Sequence, residues 1–270
     1  MIVDKFHIPY KYGETIKLKP LYDIHAGHVN CDKNELKKYL ADSDESTYFI
    51  GGGDMIDAVI CSDVKRYRKS GDDTKSEAII DEQIETIYDV IQGYRERILG
   101  LMLGNHEDTI LTKCGTNPIK RLCAMLSTKE HDVKYLGYSC LIKLCMRTDK
   151  GIGRSLDIRA HHGWGGGTRT QGGSITKYSN DIKYWYADIF LFGHDHRRQF
   201  DEVPRLALSG KKLVARPQLI CLCGSYKKSY SVDGSVTYEE KGGFPPTHIG
   251  GINILIKPDM HKGIIYKAEY

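Results

Sequence analysis

Short apolar runs bounded by glycine or polar residues recur along this chain. They include Tyr48-Phe49-Ile50, Ile98-Leu99-Gly100-Leu101-Met102-Leu103, Leu141 to Cys145, Leu156 to Ala160, Ile189 to Phe192, Leu219 to Cys223, Ile252 to Ile256 and Ile264 to Tyr266. Runs of this length with turn residues at their ends read as buried strands. Before Asp23, Ile16 and Leu18 alternate with polar residues, and Pro20 predicts an edge strand or a strand start. Pro258 to Gly263 between the last two runs predicts a hairpin.

Helical periodicity is interspersed with these runs. Asp32-x-x-Glu35 has the form of a capping signal and opens a predicted helix to about Ala41. A longer helix is predicted from Thr74 to Arg97, because Thr74-x-x-Glu77 has capping-box form and Ile80, Ile84, Ile87, Ile91, Tyr94 and Ile98 step by four and three. Asn117-Pro118 opens another, and one more is predicted over about Ile175 to Tyr186, after a glycine-rich stretch from Gly163 to Gly173. Mixed strands and helices without repeat or linker predict an α/β fold: two mixed β-sheets packed as a sandwich, flanked by helices. One domain spanning 1–270 is the simplest organisation.

Composition narrows the class without naming a chemistry. With 270 residues and 40% apolar content the chain can build a substantial core, and a formal charge of +4 is too small to argue for nucleic acid. No apolar run approaches the roughly 20 residues that span a bilayer, so no membrane is expected. The N-terminus, Met1-Ile2-Val3-Asp4-Lys5, lacks signal-peptide layout. Eight scattered cysteines read as reduced thiols and a cytoplasmic setting. Cys221 and Cys223 share one strand face, where core packing outweighs a metal or redox role.

The ends of five runs carry the chemistry. Asp23-Ile24-His25, Asp54, Asn105-His106, His161-His162 and His194-Asp195-His196 each follow an apolar run. Ligands gather at the carboxyl ends of strands in open α/β sheets, and carboxylate, imidazole and amide oxygen together suit first-row transition metals. Singly, each motif is commonplace. Together their order resembles the calcineurin-like metallophosphoesterase superfamily: Asp23/His25, Gly53-Asp54-Met55-Ile56-Asp57, Gly104-Asn105-His106-Glu107, His162-Gly163 and Gly193-His194-Asp195-His196.

This resemblance, over residues from about 21 to 200, implies two divalent transition-metal ions, manganese first among them, with iron, zinc, cobalt and nickel as alternatives. One would be held by Asp23, His25, Asp54 and His196, the other by Asp54, Asn105, His162 and His194, with Asp54 bridging. It implies a phosphoester hydrolase working through a metal-bridging hydroxide, with His106 contacting phosphate or protonating the leaving oxygen. Asp57 would orient the His106 imidazole through a hydrogen bond.

Other positions carry competing readings. In a strand, His161 and His162 point to opposite faces. The superfamily places its ligand directly before glycine, which selects His162 and leaves His161 as a packing residue or a substrate contact. Asn105 and Arg169 are the other candidate substrate contacts. The Gly163–Gly173 stretch, which holds Trp164 and Arg169, reads equally as a lid and as a plain connection. His28 and His248 read as loop histidines, Asp195 as a turn residue, and Glu107 as a support of the Asn105–His106 loop. Gly51-Gly52-Gly53 lacks the Gly-Lys-Ser/Thr of a phosphate-cradling loop and reads as a sharp turn presenting Asp54.

Ala58-Val59 follows Asp57 where the Ser/Thr protein phosphatases carry Arg-Gly, and the second Asp at 57 departs from the lipid-precursor hydrolases. The block is closer to the phosphodiesterase and nuclease branch. Lys65-Arg66-Tyr67-Arg68-Lys69 and Arg197-Arg198 would attract a polyanion, against the plainer reading of solvated charge. The expected substrate is a phosphodiester in DNA, RNA or a nucleotide. The alternatives are a phosphomonoesterase acting on a nucleotide or small phosphate, and a non-catalytic protein-binding scaffold.

Overall fold

The computed structural model describes all residues except 12, 62, 64, 65, 68–71, 75, 76, 152, 232–235 and 260–262. Among the described residues, twelve strands form two six-stranded sheets. The first contains β1 (Ile2–Pro9), β6 (Ser139–Arg147), β7 (Gly153–His161), β8 (Ile189–Phe192), β9 (Arg198–Ser209) and β10 (Lys212–Cys223), in the order β1-β6-β7-β8-β10-β9. The second contains β2 (Ile16–Leu21), β3 (Thr47–Gly52), β4 (Ile98–Met102), β5 (Lys134–Tyr135), β11 (Asn253–Asp259) and β12 (Gly263–Glu269), in the order β12-β11-β2-β3-β4-β5. Parallel and antiparallel pairs occur in both, so both are mixed.

The sheets face each other across a core that includes Ile8, Leu18, Ile50, Ile142, Ile158, Leu191 and Ile254. The outer face of the second sheet is covered by α1 (Lys33–Ala41), α2 (Ile79–Ile91) and α4 (Pro118–Leu126), through Leu36, Ile84, Ile87 and Leu122. The outer face of the first is covered around α5 (Gly173–Ser179), where Tyr178 stacks on Phe192 with centroids 4.5 Å apart. Between α4's neighbours β4 and β5 the chain also forms α3 (Asn105–Cys114), and α6 (Tyr238–Gly242) follows β10. None of these helices is long and apolar enough to cross a membrane.

Two caps form as their sequences predict. Asp32 accepts the amide of Glu35 at 3.0 Å, and Asn117 accepts that of Lys120 at 3.0 Å with Pro118 in the first turn. The predicted Thr74–Arg97 helix is shorter. It starts at Ile79 and gives way to a 3₁₀ segment, Gln92–Arg97. Thr74 donates its amide to Asp72 at 3.0 Å, a local turn that competes with a helix cap. The helix predicted to Tyr186 likewise ends at Ser179, followed by a 3₁₀ turn at Asp181–Lys183.

Pro20 lies not on an edge but in β2, between β11 and β3. Pairing with β11 stops at Leu18, so at Pro20 the strand is flanked by β3 alone and a missing amide is tolerated. The predicted hairpin joins β11 to β12, with Asp259 opposite Gly263; its turn, 260–262, lies outside the described residues. All eight cysteines are unpaired, and Cys221 and Cys223 are buried.

The pairings that matter for function are the parallel ones. β2, β3 and β4 run parallel, as do β7 and β8. Their carboxyl ends therefore deliver the following loops to one edge of the sandwich.

Candidate metal centre

Each loop that leaves this edge is stitched to its neighbour through the backbone. Asp23 donates its amide to the carbonyl of Gly53 at 3.1 Å, and His25 donates to that of Asp54 at 2.9 Å. Gly193 donates to the carbonyl of His162 at 2.8 Å. The fit is too close for side chains at two glycines. A Cβ on Gly53, at φ +94°, would lie 2.7 Å from His162 Nδ1, and one on Gly104 would overlap Asp54. Six non-glycine residues among those described have positive φ, and five are Asp23, His25, Asp54, His194 and His196. Such backbone is uncommon outside glycine and concentrates where surrounding structure imposes it.

The side chains converge. Asp23, His25 and His196 offer one donor each within 4.8 Å of one another, and so do Asp23, Asp54 and His162. Oδ2 of Asp54 stands 3.8 Å from His25 Nε2, 3.4 Å from His162 Nε2 and 3.9 Å from His106 Nε2. The Nε2 atoms of His25 and His196 are 3.1 Å apart. The amide of Asn105 meets His162 Nε2 at 2.9 Å and His194 Nδ1 at 2.8 Å. Turned one way it donates to both rings while its oxygen accepts from Arg66; turned the other way it presents Oδ1 to the centre.

The outer nitrogens fix which inner ones are free. His162 Nδ1 donates to the Gly52 carbonyl at 3.0 Å, His194 Nε2 to that of Gly165 at 2.6 Å, and His25 Nδ1 to Asp57 Oδ1 at 3.2 Å. Each ring thereby keeps its other nitrogen for the centre. Asp23 Oδ2 accepts the His194 amide at 2.8 Å, while its Oδ1 is buried without a hydrogen-bond partner. An orphaned carboxylate oxygen beside two facing imidazole nitrogens fits a cation, and the mixed oxygen and nitrogen donors suit transition metals. A third grouping, His25, Asp57 and His106, meets through ring nitrogens already engaged in hydrogen bonds.

Charge is organised by burial. Burial pushes the His25 imidazole down to about 3 and drives His196 well below its usual value, so both rings are neutral. Burial pushes the Asp23 carboxyl up. Asp54 and His162 behave as a pair: burial opposes both charges, yet each stabilises the other. Asp54 falls well below the usual carboxylate range, and His162 rises to about 10.

The Asp57 carboxylate takes His25, and not the expected His106, as its hydrogen-bond partner. His106 is held by the backbone carbonyl of Asp57 through Nδ1, while the Asp57 carboxylate bonds His25 at 3.2 Å and stands 3.7 Å from His106. His161 is outside the donor cluster: its Nδ1 accepts the amide of Gly163 at 2.9 Å, and its ring packs on Tyr138 and Trp164. Arg169 donates to the Gly242 carbonyl at 3.0 Å, with its guanidinium over the Phe244 ring. Lys177 anchors the Gly163–Gly173 stretch by bonding Trp164's carbonyl at 2.9 Å and Asp195 at 2.6 Å.

Of the basic cluster, Lys65, Arg68 and Lys69 lie outside the described residues. Arg66 is gripped by Asp63 at 2.7 Å and bonds Thr109 on α3 at 2.8 Å. Its place beside Asn105 was not anticipated, because the spacing of residues 57 to 66 gives no sign of the fold-back.

No protein-family model matches this chain, and no curated protein matches it. Among solved structures it is similar to a 5′-nucleotidase precursor from Thermus thermophilus, at 13% identity and a TM-score of 0.41, over 95% of this chain and 54% of that one. The chain thus spans about half the length of that protein. It is also similar to a metallophosphoesterase from Sphaerobacter thermophilus, at 10% identity and a TM-score of 0.38, over 94% of this chain and 89% of that one. A third is the wild-type Vps29 of Entamoeba histolytica complexed with Zn²⁺, at 11% identity and a TM-score of 0.35, over 95% and 98% of the two chains. The donor geometry, and not this likeness, carries the functional reading.

Proposed function

We propose that this chain, as one domain, is a dinuclear-metal-dependent phosphoester hydrolase, and that its substrate is a phosphodiester in a nucleic acid or nucleotide. The observation that supports it is the placement of Asp54 Oδ2 within 3.4–3.9 Å of three imidazoles, beside an unpartnered Asp23 oxygen. Asp23, His25, His196 and Asp54 would hold one cation, and Asp54, Asn105, His162 and His194 the other, with manganese expected first. When bound, such a pair supplies an activated water and neutralises charge on the phosphoryl group.

The protein's own groups do the rest. Hydrogen bonds to Gly52, Gly165 and Asp57 keep three ligand rings from rotating. His106 is fixed through Nδ1, which aims Nε2 to the side of Asp54. As the imidazolium it can donate that proton to the leaving oxygen. His106 and His196 are partly exposed, at 13% and 16% of their side chains, which suits a substrate approaching across an open face.

The test compares bis-p-nitrophenyl phosphate with p-nitrophenyl phosphate, in added Mn²⁺ and in chelator. Metal-dependent turnover favouring the diester is the expected result. Preference for the monoester would replace the diester reading with a phosphatase, and no turnover of either would contradict the hydrolase reading for these simple esters.

A further inference from the structure

The segment Ser225–Lys228 lies directly along the loop that carries His25. Tyr226 donates its amide to the Asp23 carbonyl at 3.0 Å, and Ser225 donates its hydroxyl to the same oxygen at 2.7 Å. Lys228 donates its amide to the carbonyl of Asn30 at 2.9 Å, and Cys31 and Lys227 form an isolated antiparallel bridge. Lys227 is thereby fixed beside His25 and His28. It is only 9% exposed, and its Nζ donates to Oε1 of Glu239, on α6, at 3.1 Å. Oε2 of Glu239 is buried with no partner, so the ion pair is singly bonded. An ammonium carries three donors, and Glu239 takes one.

His28 completes the arrangement. Its Nδ1 accepts the amide of Asn30 at 3.0 Å, which puts the ring proton on Nε2, and no hydrogen bond among the described residues uses that atom. The charges of Asp57, Lys227, Glu239 and His106 all act on the ring, and Lys227 also acts on His25 and His196. Adjacent backbone segments thus bring a cationic donor and a neutral one to the loop that carries His25. A buried ion pair is weak evidence for stability, since desolvation offsets much of its attraction.

We propose that His28 and Lys227 form a phosphate-binding subsite on the His25–His196 side of the centre, contacting non-bridging oxygens of a phosphate ester. Glu239 is the positioning residue that holds Lys227 there. The inference rests on the phosphoesterase reading for its role in turnover, but not for the binding itself. Phosphate oxygens accept bonds from ammonium and imidazole N–H alike, and charge-assisted bonds are the stronger kind.

Inorganic phosphate is the probe. Titrated into the metal-free protein, it should shift the His28 ring resonances saturably, with a dissociation constant about tenfold weaker in Lys227→Met and near wild type in Lys227→Arg. In the metal-loaded protein Lys227→Met should raise KM about 10- to 100-fold while kcat changes little, the mark of binding shared by ground and transition states. Unmoved His28 resonances, or wild-type phosphate binding in both Lys227→Met and His28→Ala, would overturn the subsite. Phosphate binding at His28 without metal-dependent hydrolysis in the wild type would keep the subsite and remove the phosphoesterase reading.

Discussion

Glu107, in the first turn of α3, accepts the backbone amide of Asp54 at 3.0 Å through Oε2 and that of Ile56 at 3.1 Å through Oε1. Oε2 also accepts the amide of Gly104 at 3.0 Å. One fully buried carboxylate therefore clamps the loop after β3 to the helix after β4, and sets the height of Asp54 relative to Asn105. Glu107→Ala would strand three buried amides. We expect a loss of about 3–5 kcal/mol, a drop of roughly 10 °C in thermal midpoint, and weaker metal binding. Glu107→Gln, which keeps an acceptor on one side, should lose less. An unchanged midpoint in Glu107→Ala would show that the clamp is not needed.

Metal binding should expel a proton. A cation takes His162 only as the neutral imidazole, yet the ionised Asp54 beside it raises that ring to about 10 against the cost of burial. Affinity at the His162 side should therefore rise with pH, by up to about tenfold per unit, until roughly pH 10. On the other side the His25 and His196 rings should add no proton of their own at neutral pH, because burial already keeps both neutral, whereas Asp23, whose carboxyl burial pushes up, must give up any proton it carries. Calorimetry in buffers of different ionisation enthalpy reads the proton directly. Zero release at neutral pH would contradict the protonated His162–ionised Asp54 pair.

His106 can be removed without touching a proposed ligand. Its amide donates to Asp54 Oδ1 at 3.0 Å, a backbone contact that survives truncation. His106→Ala should keep its metals by elemental analysis while turnover falls about 10²- to 10⁴-fold. Turnover at the wild-type level would exclude the ring from proton transfer.

Much of the architecture was legible because the interior strands are short, apolar and bounded by glycine. β3, β4, β7 and β8 end next to the residues that form the centre, so run and motif mark the same positions. The edges were not. β1 alternates exposed and half-buried residues, and β9 is largely exposed from Asp201 to Ser209, so neither carries an apolar signal. α3 was hidden because Asn105-His106-Glu107-Asp108 reads as chemistry before it reads as a first helical turn. The partner of Asp57 was also beyond the sequence: motif spacing brings Asp57 near His106, but whether its carboxylate or its carbonyl meets the ring depends on how the loop turns. Lys227 and Glu239 follow no motif at all and are joined to the centre only by the packing of residues 225–228.

The left-handed backbone at Asp23, His25, Asp54, His194 and His196 limits how this centre can change over evolutionary time. Asparagine, aspartate and histidine are the side-chain-bearing residues that enter this conformation most readily, whereas β-branched and bulky ones do not. Substitutions at these five positions can thus trade oxygen for nitrogen donors with little backbone penalty. A valine, isoleucine or threonine at any of them would have to reshape the loop. The backbone thus keeps this edge of the sandwich to oxygen and imidazole donors, whichever cation they would hold.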